Sequence, residues 1–193
     1  MAVSGLLLLA TAPLMAVLVV LVAIDVGRPV LFRQRRRGLH GESFELFKFR
    51  TMRPQPEGAS LSDEARVTTL GRGLRRYRLD ELPQLVLVLF GRMSLVGPRP
   101  LPDQVLDQCP QELLRVRALC RPGITGWAQV NGNTLLDERE KLALDAFYCT
   151  RTGLAFDLWI MVQTVVVLVR GESRNEANIT EALRFANSSD RHC

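Results

Sequence analysis

Two adjacent carboxylates, Asp80 and Glu81, stand between a basic and an apolar segment in Arg75-Arg76-Tyr77-Arg78-Leu79-Asp80-Glu81-Leu82-Pro83-Gln84-Leu85. Neighbouring positions on a regular helix point in different directions, so the pair can serve one site only at a turn or a helix end. The residue types suit such an end. Asp80 is a good N-cap, Pro83 is tolerated in a first turn, and Leu82 to Phe90 can continue as a short apolar helix that Gly91 stops. A helix start facing arginines is a seat for phosphate. Two readings compete. Asp80 caps the helix and Glu81 favours its dipole, or the two form a catalytic dyad.

Composition narrows the chemistry. The 193 residues fit one domain, and the net charge of +5 favours anionic partners such as phosphorylated substrates or anionic lipid. No basic run is interleaved with aromatics, which argues against nucleic acid. The cysteines, Cys109, Cys120, Cys149 and Cys193, form no CxxC pair, and His40 and His192 are the only histidines. That argues against zinc and leaves little for a Ser-His-Asp or Cys-His device. Carboxylates are the better candidates for acid, base or nucleophile.

The elements that must position them follow in chain order. Met1 to Ile24 is almost wholly apolar, with Pro13 at its midpoint. It reads as a cleaved signal peptide, a spanning helix, or a re-entrant hairpin that breaks at Pro13. Of these the signal peptide fits least, because no positive n-region precedes it. Arg33 to Arg37 then follow, either touching anionic head groups on the cytoplasmic side or forming a solvated run. Val30 to Met52 reads as two or three strands, and Arg53 to Asp63 as a loop. Val67 to Leu79 is a short basic helix leading to the carboxylates. In Pro98-Arg99-Pro100 the flanking prolines fix the arginine backbone and aim its guanidinium. Leu101 to Leu119 reads as a helix interrupted near Pro110, and Arg121 to Asn133 as a Gly-rich polar loop around Trp127. Leu135 to Arg151 is helical. Phe156 to Val169 is a second apolar stretch, suited to lie at an interface or in a core. Gly171 to Cys193 is polar and is expected to fray.

Several ordered stretches together resemble the bacterial sugar transferases, the monotopic phosphoglycosyl transferases of polysaccharide and glycoconjugate assembly. They are Phe32-Arg33-Gln34 with Arg36 and Gly38, Lys48-Phe49-Arg50-Thr51-Met52, Arg66-Val67-Thr68, Leu74-Arg75-Arg76, Leu79 to Leu85, Met93 to Pro100 and Pro122 to Val130. The resemblance implies transfer of a sugar phosphate from a UDP sugar to undecaprenyl phosphate with release of UMP. It implies a re-entrant membrane helix, with every soluble part on the cytoplasmic face of the bacterial inner membrane. Asp80 matches the nucleophile of a covalent phosphosugar intermediate and is associated with Mg2+. Glu81 matches the second dyad member, the base for the lipid phosphate. Lys48, Arg50, Arg75 and Arg99 match basic positions around the phosphates. Thr125, Gln129 and Asn131 lie in a motif expected near the substrate, and Asp157 and Thr164 match a structural pattern.

Departures from the family are few. The chain starts without the usual basic residue and Asp, as a shortened N-terminus would. Ala12 precedes Pro13 where Ser is usual, and Thr152-Gly153 replaces the common Trp-Ser.

The expected fold is α+β and predominantly helical. A membrane-inserted hairpin spans residues 1–27, a catalytic domain 28–175 and a polar tail 176–193. A small β-hairpin and amphipathic interfacial helices surround a cytosolic active site. The implied partners are a UDP sugar, undecaprenyl phosphate and anionic membrane lipid, with no nucleic acid; a homo-oligomer is compatible. Competing readings are a glycosyltransferase that releases nucleoside diphosphate and a non-enzymatic membrane or lipid-binding scaffold.

Overall fold

The computed structural model describes residues 2–56, 58, 60–102 and 109–189. The expected helix from Leu101 to Leu119 therefore lies partly outside the described residues, as do His192 and Cys193. By contacts the chain divides into two compact units, residues 1–34 with 45–90 and residues 35–44 with 91–193. This division differs from the expected one. The apolar N-terminal segment belongs with the carboxylate turn, and the C-terminal segment belongs with the second unit.

In the first unit, α1 (Ala2–Asp25) runs without interruption through Pro13. At 24 residues it is about 36 Å long against a hydrocarbon core of about 30 Å. Among the described residues it is the one helix long and apolar enough to cross a membrane. One stripe of it is buried. Leu18, Val22 and Val26 form an apolar cluster with Phe49 and Leu74, against which Leu79 and Leu82 also pack. Elsewhere on α1, Leu6, Leu9 and Ile24 are exposed, while Ser4 is buried. Near its start a Cβ on Gly5 would lie 3.8 Å from Leu89, and at its end Thr68 Oγ1 donates to Asp25 at 2.5 Å.

Strands β1 (Leu31–Arg37) and β2 (Ser43–Phe49) make the expected hairpin. An isolated antiparallel bridge joins Met52 to Val67 beyond it. The turn α2 (Asp63–Arg66) is capped by Ser62, and α3 (Thr69–Arg76) by Thr68, whose hydroxyl accepts from the Gly71 N–H. Helix α3 lies so close to Thr51 that a Cβ on Gly71 would sit 2.1 Å from the Thr51 carbonyl oxygen. A 3-10 turn (Leu79–Gln84) and α4 (Leu85–Leu89) complete the unit.

In the second unit, β3 (Ser94–Val96) pairs in parallel with β4 (Gly123–Thr125), with Ser94 opposite Gly123 and Val96 opposite Thr125. The strands and their flanks are held very close, since a Cβ on Gly123 would lie 2.1 Å from the Gly97 nitrogen. Around them lie α5 (Gln111–Arg117), α6 (Trp127–Val130), α7 (Glu138–Thr150), α8 (Leu154–Arg170) and α9 (Glu176–Ser189). Helix α7 starts at a capping box formed by Asp137 and Glu140 and is almost wholly buried from Leu142 to Tyr148. The segment expected to fray is instead helix α9. Its Ile179, Ala182 and Ala186 are buried in the same core as Leu142, Ala143 and Phe147. That spacing is the i, i+3, i+7 stripe of a core-facing helix. The α+β, mostly helical expectation agrees with this architecture.

The two glycines of α3 should respond oppositely to alanine. Gly71→Ala meets the Thr51 carbonyl and is expected to destabilise by about 1–3 kcal/mol. Gly73 has open space around it, so Gly73→Ala should stabilise by about 1 kcal/mol. Thermal unfolding of the detergent-solubilised protein checks both, and equal shifts would rule out the close approach.

Candidate active site

The carboxylates sit inside the Leu79–Gln84 turn, and no side chain caps it. Arg78 occupies the cap position with φ 53°, a left-handed conformation. A non-glycine residue there carries strain of about 1–3 kcal/mol, and the strained residue turns the chain from α3 into the carboxylate turn. The capping reading of Asp80 is therefore corrected: Asp80 lies one residue inside the turn. Its side chain and that of Glu81 are buried, at 4% and 8% exposure.

The flanking leucines explain that burial. Leu79 and Leu82 pack against the cluster that includes Leu18 and Val22 of α1. Arg78 faces Glu81 with an N–O separation of 3.7 Å, and the Glu81 N–H donates to the Arg78 carbonyl at 3.2 Å. Burial pushes the Asp80 acid above its ordinary range, and the Glu81 charge pushes it further; Lys48 and Arg75 pull it back. Lys48 projects from β2 with its ammonium 5.8 Å from the Phe32 ring centroid. Arg75 Nε donates to Thr51 Oγ1 at 2.9 Å, so the close approach at Gly71 also places this guanidinium. Four expected residues, Asp80, Glu81, Lys48 and Arg75, thus form one electrostatic group. Arg50 is directed elsewhere. It donates to the Pro29 carbonyl at 3.2 Å and lines a cavity of about 580 Å3 with Phe32 and Arg33.

Mg2+ fits this donor set. Among the described residues no cluster of three acidic, His or Cys side chains exists. Mg2+ needs no such cage, because it takes one or two carboxylates and completes its shell with waters and substrate phosphates. A divalent cation on Asp80 would also relieve the repulsion that Glu81 exerts on it.

The remaining expected residues belong to the second unit. Arg99 is exposed between buried Pro98 and Pro100 and lines a cavity of about 380 Å3 with Arg37, His40 and Arg115. Arg36 is drawn down to about 10, by burial and then by the Arg99 charge. Thr125 is buried, and its hydroxyl shares a 2.7 Å hydrogen bond with Thr164. Asn131 is buried with its amide donating to the Trp127 carbonyl and its side-chain oxygen accepting from Asn178. Both residues are thus engaged by the protein itself. Gln129 is buried with neither amide atom hydrogen-bonded.

Sequence reasoning missed Arg117 and Asp145, a buried ion pair at 2.9 Å. They lie 28 positions apart, and no local pattern links them. It also gave Arg36 no partner, whereas its guanidinium donates to the Pro100 carbonyl at 2.9 Å.

The leucines that flank the buried carboxylate pair pack into one apolar cluster with helix α1, and Lys48 and Arg75 stand beside the pair. The chain belongs to the bacterial sugar transferase family, whose sequence profile matches residues 1–171. It is 41% identical over 186 residues to the uncharacterized sugar transferase EpsL of Bacillus subtilis strain 168, covering 95% of this chain and 92% of that one. It is 38% identical over 190 residues to the undecaprenyl-phosphate glucose phosphotransferase of Komagataeibacter xylinus, covering 89% of this chain and 35% of that one. It is 41% identical over 166 residues to the UDP-glucose:undecaprenyl-phosphate glucose-1-phosphate transferase of Xanthomonas campestris pv. campestris, covering 80% and 34%. The chain thus spans nearly all of the first relative and about a third of the other two.

The upward shift of the Asp80 pKa has a consequence for stability. An acid whose folded value lies above its unfolded value opposes folding when ionised. That penalty is absent well below the ordinary Asp value of about 3.9 and complete once pH exceeds the raised folded value. In EDTA, Asp80→Asn should therefore melt above the wild type at neutral pH, with the gap closing as pH falls toward about 4. A gap that widens in acid would contradict this electrostatic account.

Proposed function

We propose that the chain transfers a sugar 1-phosphate from a UDP sugar to undecaprenyl phosphate, releasing UMP, through a covalent intermediate on Asp80. The observation that carries the reading is the buried Asp80–Glu81 pair, uncapped and set among Lys48 and Arg75. The names of the Komagataeibacter and Xanthomonas relatives support the same substrate class.

The reaction balances in two displacements. An Asp80 carboxylate oxygen attacks the phosphorus that bears the sugar. The bond from that phosphorus to the bridging oxygen breaks, and UMP departs with the electron pair. A phosphate oxygen of undecaprenyl phosphate then attacks the same phosphorus and displaces Asp80, leaving the sugar on a lipid diphosphate. Splitting the transfer this way avoids bringing two bulky anions together in one step. Glu81 takes any proton on the incoming lipid phosphate. Lys48 and Arg75 offset the accumulating charge, and Arg99 is assigned to the phosphates of the nucleotide sugar. Mg2+ on Asp80 would supply further neutralisation of the diphosphate and its departing half. Purified protein with undecaprenyl phosphate, Mg2+ and a panel of UDP sugars is expected to release UMP and retain labelled sugar phosphate when the acceptor is omitted. Asp80→Asn should abolish both. UDP as the released nucleotide, or full activity in the variant, would overturn the reading.

A lipid acceptor calls for a site at a membrane surface. We infer that α1 anchors the first unit in the cytoplasmic membrane, with both of its ends on the cytoplasmic face. The support is that a Cβ on Gly5 near its start would lie 3.8 Å from Leu89, and Asp25 at its end accepts a hydrogen bond from Thr68, both in the same unit. Pro13 marks the place where a bend in the bilayer would fall. Helix α8 contributes an exposed apolar stripe of Leu154, Leu158, Val162, Val165 and Val169, as an interface-lying helix requires. In a cysteine-free background, Val3→Cys and Arg28→Cys should react with an impermeant thiol reagent from the same side of inner-membrane vesicles. Labelling from opposite sides rules out this topology.

A further inference from the structure

Two thiols from distant parts of the chain meet inside the second unit. Cys120 follows α5, and Cys149 lies in the last turn of α7. Each reaches the main chain of the other's segment. Cys120 Sγ donates to the Cys149 carbonyl at 3.9 Å, and Cys149 Sγ donates to the Arg117 carbonyl at 3.9 Å. The same Arg117 carbonyl accepts the Cys120 N–H at 3.1 Å. This crossed pattern sets the two sulfurs side by side, in hydrogen-bond reach of one another.

The helices hold them there. Arg117 and Asp145, joined at 2.9 Å, tie α5 to α7 about one helical turn before the thiols. Leu113 of α5 and Leu142 of α7 share one apolar core. A bond between the sulfurs therefore needs no new approach of the two helices. Both thiols are unoxidised and half-buried. Cys120 also lines the cavity of about 380 Å3, beside Arg115 and Pro122, where a small solute can reach it. Cys109 differs, being packed in the apolar core. The Cys149 hydrogen bond holds the Cys120 thiol below its ordinary range, while the same bond and burial push Cys149 up. One sulfur is thus the better nucleophile, and its neighbour is placed to resolve the product.

We propose that Cys120 and Cys149 form a redox-modification site that hydrogen peroxide converts to an intramolecular disulfide, with Cys120 reacting first. The Cys120 thiolate attacks a peroxide oxygen, the O–O bond breaks, and the departing hydroxide takes up a proton to leave as water. Cys120 is then a sulfenic acid. The Cys149 sulfur attacks the Cys120 sulfur, the S–S bond forms, and the displaced hydroxide leaves with the Cys149 proton as a second water. The thiols lose two electrons and the peroxide gains them. In a reducing compartment such a disulfide is transient, as sensing disulfides are. The site stands apart from the transferase reading, and no part of its test involves sugar transfer.

Full-length protein in detergent carrying Cys109→Ala and Cys193→Ala retains only this pair of thiols. It is treated with hydrogen peroxide at a dose that fully oxidises glutathione, then blocked with N-ethylmaleimide. The intact mass is expected to fall by that of two hydrogens with no maleimide added, and dithiothreitol should restore both thiols. Peptide mapping without reductant should show Cys120 joined to Cys149. With Cys149→Ser added, dimedone should trap a sulfenic acid on Cys120; with Cys120→Ser instead, Cys149 should stay unmodified at the same dose. If the two-thiol background fails to fold, the peptide map of peroxide-treated wild type carries the test. Two maleimide-labelled thiols in folded protein overturn the proposal. So does a link only between chains, or a disulfide that joins either cysteine to Cys109. Preferential trapping on Cys149 overturns the order of attack.

Discussion

Holding two adjacent carboxylates out of water is the constraint on which the first unit depends. Desolvation raises the energy of an ionised Asp80, and the neighbouring Glu81 adds to it. Lys48 and Arg75 offset part of that, yet the net direction remains unfavourable. A carboxylate left in water would be more comfortable and a poorer nucleophile toward phosphorus, because its hydration shell would have to be stripped before attack. The apolar flanks of the turn therefore do more than fill space. Leu79 and Leu82 hold the acids down by packing against the cluster that contains Leu18 and Val22.

This arrangement gives α1 two tasks. One stripe of the helix is core for the carboxylate turn, and another, with Leu6, Leu9 and Ile24, is apolar and exposed. The hydrogen bond from Thr68 to Asp25 joins its end to the start of α3, which carries Arg75. Helix α1 and the carboxylate turn are therefore parts of one packed unit. A helix that only tethered the protein could tolerate any apolar sequence. Here the stripe facing Leu74 and Phe49 must match a particular surface.

The adjacent carboxylates with Lys48 and Arg75 beside them were legible as a group because residue type carries their charge. The shape of the turn was not. Asp80 followed by Pro83 has the pattern of a capped helix, while the left-handed Arg78 that sets the turn is neither glycine nor asparagine and gives no local signal. The partners of the polar Gly-rich loop were not legible either. Thr125 and Asn131 have hydrogen bonds to Thr164 and Asn178, far along the chain. Helix α9 was hidden by its polar exterior, although Ile179, Ala182 and Ala186 keep a helical period. Pairings over long separations, such as Arg117 with Asp145, are where single-sequence reasoning stops.

The two units arrange their cations by different physical means. In the first, cations gather around acids, so attraction within the group limits how far either charge is disturbed. In the second, cations gather around one another, and Arg36 is drawn down by burial and by Arg99. Such a cluster is costly without an anion and is relieved by one. The carbonyls of the Pro98–Pro100 turn offset part of that cost as fixed acceptors, since Arg36 and Arg117 donate hydrogen bonds to them. The first unit thus prepares a strained acid, and the second a stiffened cation.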